Sequence, residues 1–349
     1  MADEVQKIYP KNNPFLLGQD TAEQIFLRSW KENTLHHAWI LYGSQGCGKA
    51  TLAYRIAKFL FWANEANKDK YSTLNVPEND VVFKQVADGS YPDLKVLERS
   101  WTDTERRKVI KAIQSGEPLD DEELSGLKKS AYIRIDEVRE AVEFLSKTSY
   151  NNGWRIVIID SVDDMNKSSA NALLKILEEP PAKTVLLLIC HNIGRVLPTI
   201  RSRCAKLPLR NLQSEEVASL LRRYRPHLEE TEISALSELS SGSIGKAVIY
   251  ADRNVLAINR HLSGILNAEV SLRDMLDFCA QASKDDETFM MLEDLLSHYF
   301  KQKIRHSENV NEVYECWQQS AKMFADCADI NMDKNLMLIN LLQKAVKLK

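Results

Sequence analysis

The run Ala38–Tyr42 (AWILY) passes straight into Gly43–Lys49 (GSQGCGK). The first stretch reads as a short buried strand. After Lys49 the apolar residues Leu52, Ile56, Phe59 and Leu60 return at helical spacing. Strand, glycine turn and helix are the setting of a phosphate-cradling loop of pattern G-x-x-x-x-G-K-[ST]. Gly43, Gly46 and Gly48 let backbone N–H groups turn inward around a phosphate, and Lys49 brings charge to the terminal phosphates. The last position of the pattern is altered. Ala50 stands where a Ser or Thr hydroxyl would hold Mg²⁺, and Thr51 comes one residue too late. The candidate nucleotide-binding set in this loop is Gly43, Ser44, Gln45, Gly46, Cys47, Gly48, Lys49, Ala50 and Thr51.

Working outward, Arg155–Asp160 (RIVIID) and Thr184–Cys190 (TVLLLIC) read as two more buried strands. Between them Lys167–Glu179 is a helix closed by Pro180 and Pro181, because proline cannot continue the hydrogen-bond ladder. Near-continuous apolar strands alternating with helices predict an α/β domain with a parallel sheet covered on both faces. A strand-like DLKVL lies at Asp93–Leu97, and Ile133–Tyr150 has the pattern of an amphipathic helix. Thr102–Lys129 is highly charged and reads as a solvated helical excursion. Upstream, Ala22, Ile25, Phe26 and Trp30 share a helical face.

From Glu215 the texture changes to short helices, with a glycine turn at Ser241–Gly245 and a new helix from Lys246. No proline follows Pro226 and only Gly264 follows Gly245, so the tail should be predominantly helical. In it Tyr314, Trp317, Ala321 and Phe324 define one face. Leu336, Ile339 and Leu342 mark a last helix with Asn331 or Asp333 as its cap.

Composition narrows the class. At 349 residues the chain should hold about two or three domains. Its 46 basic and 49 acidic residues give a net charge of −3, so any nucleic-acid contact must come from a local patch or from partner subunits. The six cysteines are scattered without a C-x-x-C pair, which argues against a disulfide framework and a zinc site alike. The polar N-terminus lacks the apolar core of a signal peptide, and the apolar runs are far shorter than a membrane span. The expected setting is the reducing cytoplasm, with no membrane association.

Three further positions bear on chemistry. Asp160 ends an apolar strand, where a second acidic motif completes the magnesium shell of a P-loop protein. Alone it reads equally well as a carboxylate capping the next turn; the upstream loop favours the nucleotide reading. A water-polarising Glu would come next, yet the residue is Ser161, which cannot act as a carboxylate base. Asp163 and Asp164 would need a shift of the loop to take that role. Arg203, in LPTIRSRC (Leu197–Cys204), carries a permanent planar charge suited to phosphate oxygens. In isolation it reads as a surface arginine paired with a carboxylate. His191 and Asn192 read either as a phosphate-sensing pair or as an ordinary strand cap. The lone cysteines at 47, 190 and 204 read as buried small residues rather than nucleophiles.

In this order the pieces resemble the AAA+ clamp-loader family of DNA replication, its delta-prime branch most closely. The carrying motifs are LHHAWILYG (Leu35–Gly43), GCGKATLA (Gly46–Ala53), IIDSVDDMN (Ile158–Asn166), ANALLKILEEPP (Ala170–Pro181) and LPTIRSRC, covering about residues 12–250. The resemblance implies a nucleotide-binding-type domain at 1–209, a helical lid at 210–251 and an all-α collar at 252–349 that joins a ring of subunits. It implies that Arg203 is the catalytic residue, an arginine finger acting in trans on the ATP of an adjacent motor subunit. Implied partners are the gamma/tau and delta subunits and, through the complex, the sliding clamp and primed DNA. The implied cofactor is ATP or ADP, held weakly or vestigially.

Two departures qualify it. Motor subunits carry G-S-x-R in the lid, whereas this chain reads GSIG at Gly242–Gly245, with Lys246 one position late. Many relatives hold zinc through four cysteines ahead of the acidic strand. Here no cysteine occurs from 48 to 189, so no zinc is expected. Ala50, Ser161 and Gly245 together argue against hydrolysis by this chain, while Arg203 is retained. The rival readings are a motor ATPase of gamma/tau type and a nucleotide-gated adaptor outside replication. No polymerase metal-site pattern is visible.

Overall fold

In the strands β1 (Ala38–Tyr42), β3 (Arg155–Ile159) and β4 (Thr184–Cys190), successive side chains point to opposite faces of the sheet. A run that is apolar throughout therefore feeds two cores, and every residue of β3 and β4 is buried. The computed structural model describes residues 9–116, 119, 123–124, 126–149, 152–267, 269–307, 309–330 and 332–348. They divide into two compact units. One takes in the chain up to Val217 with Gly242–Gly245; the other comprises Ala218–Ser241 and Lys246–Lys349.

The first unit contains α1 (Asp20–Lys31), β1, α2 (Lys49–Trp62), α3 (Val81–Asp88), β2 (Leu94–Leu97), α4 (Asp103–Gln114) and α5 (Ile135–Ser146). It continues through β3, α6 (Lys167–Glu178), β4, α7 (Pro198–Arg201) and β5 (Ala205–Pro208). The sheet runs β2-β3-β4-β1-β5 with every pairing parallel. Ile40 of β1 is in register with Leu188 of β4 on one side and Lys206 of β5 on the other.

The pleat sorts the strands into the two cores. Trp39, Leu41, Ile156, Ile158 and Leu187 join Phe26 and Trp30 of α1 and Leu52, Ile56 and Phe59 of α2. Ile40, Val157, Ile159, Leu186 and Leu188 join Val138 and Leu145 of α5 and Leu173 and Leu177 of α6. Each fully buried Leu or Phe contributes about 1.5–3 kcal/mol of transfer free energy. The carboxyl ends of β1, β3 and β4 thus lie side by side, the position where parallel sheets bind ligands.

The α1 face differs from the sequence expectation at one position. Ala22, Phe26 and Trp30 are buried, but Ile25 is 40% exposed and Leu27 lies inside instead. Glu23 is also buried, its carboxylate 2.5 Å from Arg55 Nε. α5 is shorter than the Ile133–Tyr150 pattern; it starts at Ile135, ends at Ser146, and Tyr150 lies outside the described residues. The charged stretch gives α4, which buries none of its residues, in keeping with a solvated excursion. The remainder of that stretch lies partly outside the described residues.

Lys58 of α2 is nearly buried at 3% exposure, its Nζ 3.6 Å from the centre of the Phe83 ring. Burial, with Arg55 nearby, pushes its ammonium down to about 8 from the ordinary 10.5. A shift of that size costs up to about 3 kcal/mol at neutral pH. The ring contact offsets about 1–2 kcal/mol. Lys58→Met should therefore raise stability to urea by about 1–2 kcal/mol at pH 7. With the folded value depressed, the unfolded chain binds the extra proton between pH 8 and 10.5, so wild-type stability climbs across that window. The advantage of the variant should shrink over the same range, and a constant advantage would refute the assignment.

The tail is helical throughout its described elements: α8 (Ser214–Tyr224), α9 (Glu230–Leu239), α10 (Ile244–Asp252), α11 (Val255–Leu266), α12 (Leu272–Ala282), α13 (Asp286–His306), α14 (Val310–Ile330) and α15 (Lys334–Val346). α10 begins at Ile244, two residues before the expected start, so Gly245 sits in its first turn. In the second unit the buried stripe of α14 is Val313, Cys316, Ser320, Phe324 and Cys327. Tyr314 is 47% exposed and Ala321 is exposed, so the expected aromatic face is offset from the real one. Leu336 likewise faces out while Met337, Leu338, Leu341 and Leu342 are buried. Asp333 caps α15, accepting a 3.0 Å hydrogen bond from the Leu336 N–H.

Candidate functional site

The loop between β1 and α2 has the backbone of a phosphate cradle. Gly46 and Gly48 adopt φ of +78° and +103°, the left-handed region that glycine enters without a Cβ penalty. Lys49 is the first residue of α2 and is 3% exposed. Its ammonium donates to the carbonyls of Gly43 at 2.8 Å and Ser44 at 2.6 Å. Burial holds its pKa below the usual lysine value. Ser44 and Gln45 are exposed at the loop tip, whereas Cys47 and Thr51 point inward. Burial raises the Cys47 thiol above its ordinary value, which fits a packed side chain rather than a nucleophile. Ala50 is partly buried and packs against the core under α2.

Four contacts that no local motif announces close around this loop. Gln19 is buried, and its amide donates to Cys47 O at 3.1 Å and Arg210 O at 2.9 Å. It also accepts from Arg210 N at 3.2 Å. Ser44 Oγ hydrogen-bonds to Asn211 Oδ1. The third contact comes from the lid motif itself. A β-carbon at Gly46 would lie 2.0 Å from Ser243 Oγ, and one at Gly245 would lie 3.2 Å from Gly46 Cα. The fourth is a 3.4 Å hydrogen bond from Gly245 N to Gly46 O. Ser243 therefore rests directly on Gly46, and a side chain at Gly245 would be a tight fit against the same glycine.

Asp160 follows β3, its N–H donating to Leu97 O at 2.7 Å. Burial raises its carboxyl above the usual range, and His191 draws it back in part. Ser161 has φ 69° and ψ 67°, and its hydroxyl donates weakly to Asp160 Oδ1 at 3.4 Å. Asp163 turns away from the catalytic-base position: its carboxylate accepts from His191 N at 3.1 Å and Asn192 N at 2.8 Å. Asp164 pairs with Arg99 at 3.3 Å. Asn192 Oδ1 accepts from Gly194 N at 3.0 Å, so Asn192 organises its own turn. The His191 ring keeps a buried Nδ1 with no hydrogen-bond partner among the described residues, and burial lowers its pKa.

Arg203 lies just after α7, a one-turn helix opened by Pro198 at its N-terminus. It is partly exposed. Its Nη2 is 2.8 Å from the Glu178 carboxylate and its Nη1 donates to Thr199 O at 3.0 Å. Glu178 is the last residue of α6; a carboxylate partner is the arrangement expected of a surface arginine, though the sequence does not mark which acid supplies it.

A five-stranded parallel sheet of order β2-β3-β4-β1-β5, with a glycine loop after β1 and an acid after β3, defines a P-loop domain of the AAA+ class. Residues 18–213, more than half of the chain, match the family described as DNA polymerase III, delta subunit. The chain belongs to that family, the clamp-loader family that the motifs resemble.

Among curated relatives, the chain is 34% identical over 170 residues to DNA polymerase III subunit delta' of Pseudomonas aeruginosa. That match spans 49% of this chain and 42% of the relative, less than half of its length. It is 24% identical over 317 residues to subunit gamma of Buchnera aphidicola subsp. Schizaphis graminum, spanning 90% of this chain and 75% of that one. With subunit delta' of Bacillus subtilis it shares 27% over 203 residues, 58% of this chain and 51% of the relative.

The class implies a nucleotide, and the residues fit it in part. The left-handed glycines and Lys49 at the start of α2 suit a phosphate. The rest fits less well: Asp160 keeps the metal-side carboxylate, but Ala50 carries no hydroxyl for the metal and Ser161 no carboxylate to polarise water. Among the described residues, no group of three or more His, Cys, Asp and Glu side chains is placed to hold a metal ion. Among the described residues no helix is long and apolar enough to cross a membrane.

Proposed function

We propose that the chain is a non-hydrolysing, delta-prime-type subunit of a bacterial clamp loader that donates Arg203 to the nucleotide of a neighbouring motor subunit. Relatives named gamma and relatives named delta' both match, so the division between them rests on the site residues. The observation that carries the reading is an asymmetry. Ala50, Ser161 and Gly245 each lack a group that phosphoryl transfer uses, whereas the one group that acts outside the chain is present and partly exposed. Loss of all three in one chain weighs more than any single loss, since each supplies a separate contribution to the barrier.

On this reading, residues 1–209 form the AAA+ body, 210–251 the lid and 252–349 the collar that enters the ring. The partners are gamma/tau and delta subunits, acting in the cytoplasm on a sliding clamp and primed DNA. Any ATP or ADP held by Gly43–Thr51 and Asp160 is bound weakly. The intact chain, mixed with gamma/tau and delta subunits of the same organism, should elute with them as one complex in gel filtration. Separate elution at micromolar concentrations would favour the adaptor reading.

A further inference from the structure

We infer that Glu178 is a positioning residue for the arginine finger, fixing the Arg203 guanidinium before a neighbour's phosphate arrives. This rests on the reading of Arg203 given above. The geometry is specific. The Glu178 carboxylate lies 2.8 Å from Nη2 as an ion pair, and the Thr199 carbonyl accepts an N–H of Nη1 at 3.0 Å. Of the five N–H groups of a guanidinium, the remainder have no partner among the described residues. The fork is thus held by one hydrogen bond at Nη1 and one ion pair at Nη2, which restricts its orientation while leaving donors for a phosphate.

The placement of the acid supports a role beyond the helix that carries it. Glu178 ends α6 and Glu179 caps it, so two carboxylates sit at the negative end of the helix dipole, where a cation is favoured. Neither benefits α6. Lys175 is the one cation in the last turn of α6, and Arg203 adds a second from outside the helix through its pair with Glu178. A free arginine carries much rotamer entropy, so a guanidinium already held loses less when it meets a phosphate. Both side chains are more than one third exposed, Arg203 at 37% and Glu178 at 51%, so the pair is open to solvent and to a neighbouring subunit. The hold is weak enough to be shared with a phosphate, because exposed pairs of this kind are screened.

The test is a double-mutant cycle in the reconstituted loader, reading the rate constant and amplitude of the ATP-hydrolysis burst in a single turnover on primed DNA. E178A should slow the phase that depends on Arg203 by about 2- to 5-fold, the range of an exposed ion pair, and leave the KM for ATP unchanged. E178D should restore most of the rate, and the defect should fade as salt screens the pair. In an R203A background E178A should add nothing. An equal loss in that background, no loss in wild type, or a gain would each overturn the positioning role while leaving the finger standing. If R203A itself changes neither burst rate nor amplitude, the finger reading falls and this inference with it. A melting curve of E178A matching wild type would exclude a general folding defect; a lowered one would assign the loss to α6 instead.

Discussion

Arg203→Ala, assembled into a loader with motor and delta subunits, is expected to abolish hydrolysis at the one site its finger serves. Fingers supplied in trans are worth about 10³–10⁵ in rate, because the guanidinium neutralises charge that develops on the transferring phosphoryl group. The other motor sites keep their own partners, so steady-state turnover reads only part of the loss. The burst amplitude in a single turnover should fall by the share of one site. Arg203→Lys should not recover it, since an ammonium is a point charge without the planar fork. Assembly should survive. Arg203 is partly exposed and its link to Glu178 is a surface pair, so truncation costs at most about 1 kcal/mol of stability. An unchanged burst from a properly assembled complex would remove the finger assignment.

What the sequence disclosed depends on whether the information is local. β1 and β4 match their apolar runs residue for residue because both faces of the sheet are covered, leaving no polar alternation to blur their ends. The glycine loop, Asp160 and Arg203 are legible for a similar reason: each is carried by a contiguous motif. The contacts that decide how those residues behave are not local. Gln19 reaches Arg210 across 191 positions, Ser243 lies on Gly46, and Glu178 meets Arg203 from a different helix. No periodicity encodes them. In α14 the sequence offers Tyr314 and Trp317 as anchors, yet the buried line passes through Val313, Cys316 and Ser320, one position upstream. Small side chains there let neighbouring helices pack closely, which an apolar-spacing reading undervalues. Ile25 lies off the buried stripe of α1, which runs through Ala22, Glu23, Phe26, Leu27 and Trp30 with Glu23 turned toward Arg55.

The isolated chain should neither turn over ATP nor be stabilised much by it. At 1 mM ATP with Mg²⁺, a dissociation constant of about 1 mM or weaker adds no more than about 0.4 kcal/mol. That is roughly 1 °C or less in the melting midpoint for a chain of this size. Lys49→Ala should leave the turnover background unchanged, because no turnover depends on it. Repairing the motifs should not restore activity either. Ala50→Ser returns a hydroxyl, and Ser161→Glu places a carboxylate at φ 69°, a left-handed position whose Cβ penalty the native serine already carries. Gly245→Arg meets a harder obstacle, since its β-carbon would come within 3.2 Å of Gly46 Cα. An arginine there requires Gly46 and the 242–245 turn to give by a few tenths of an ångström. The glycine at 245 thus lies against the same loop residue that Ser243 contacts, so a larger side chain there would strain that contact. Turnover by the purified chain that vanishes with Lys49→Ala would contradict this and make the chain a motor subunit in its own right.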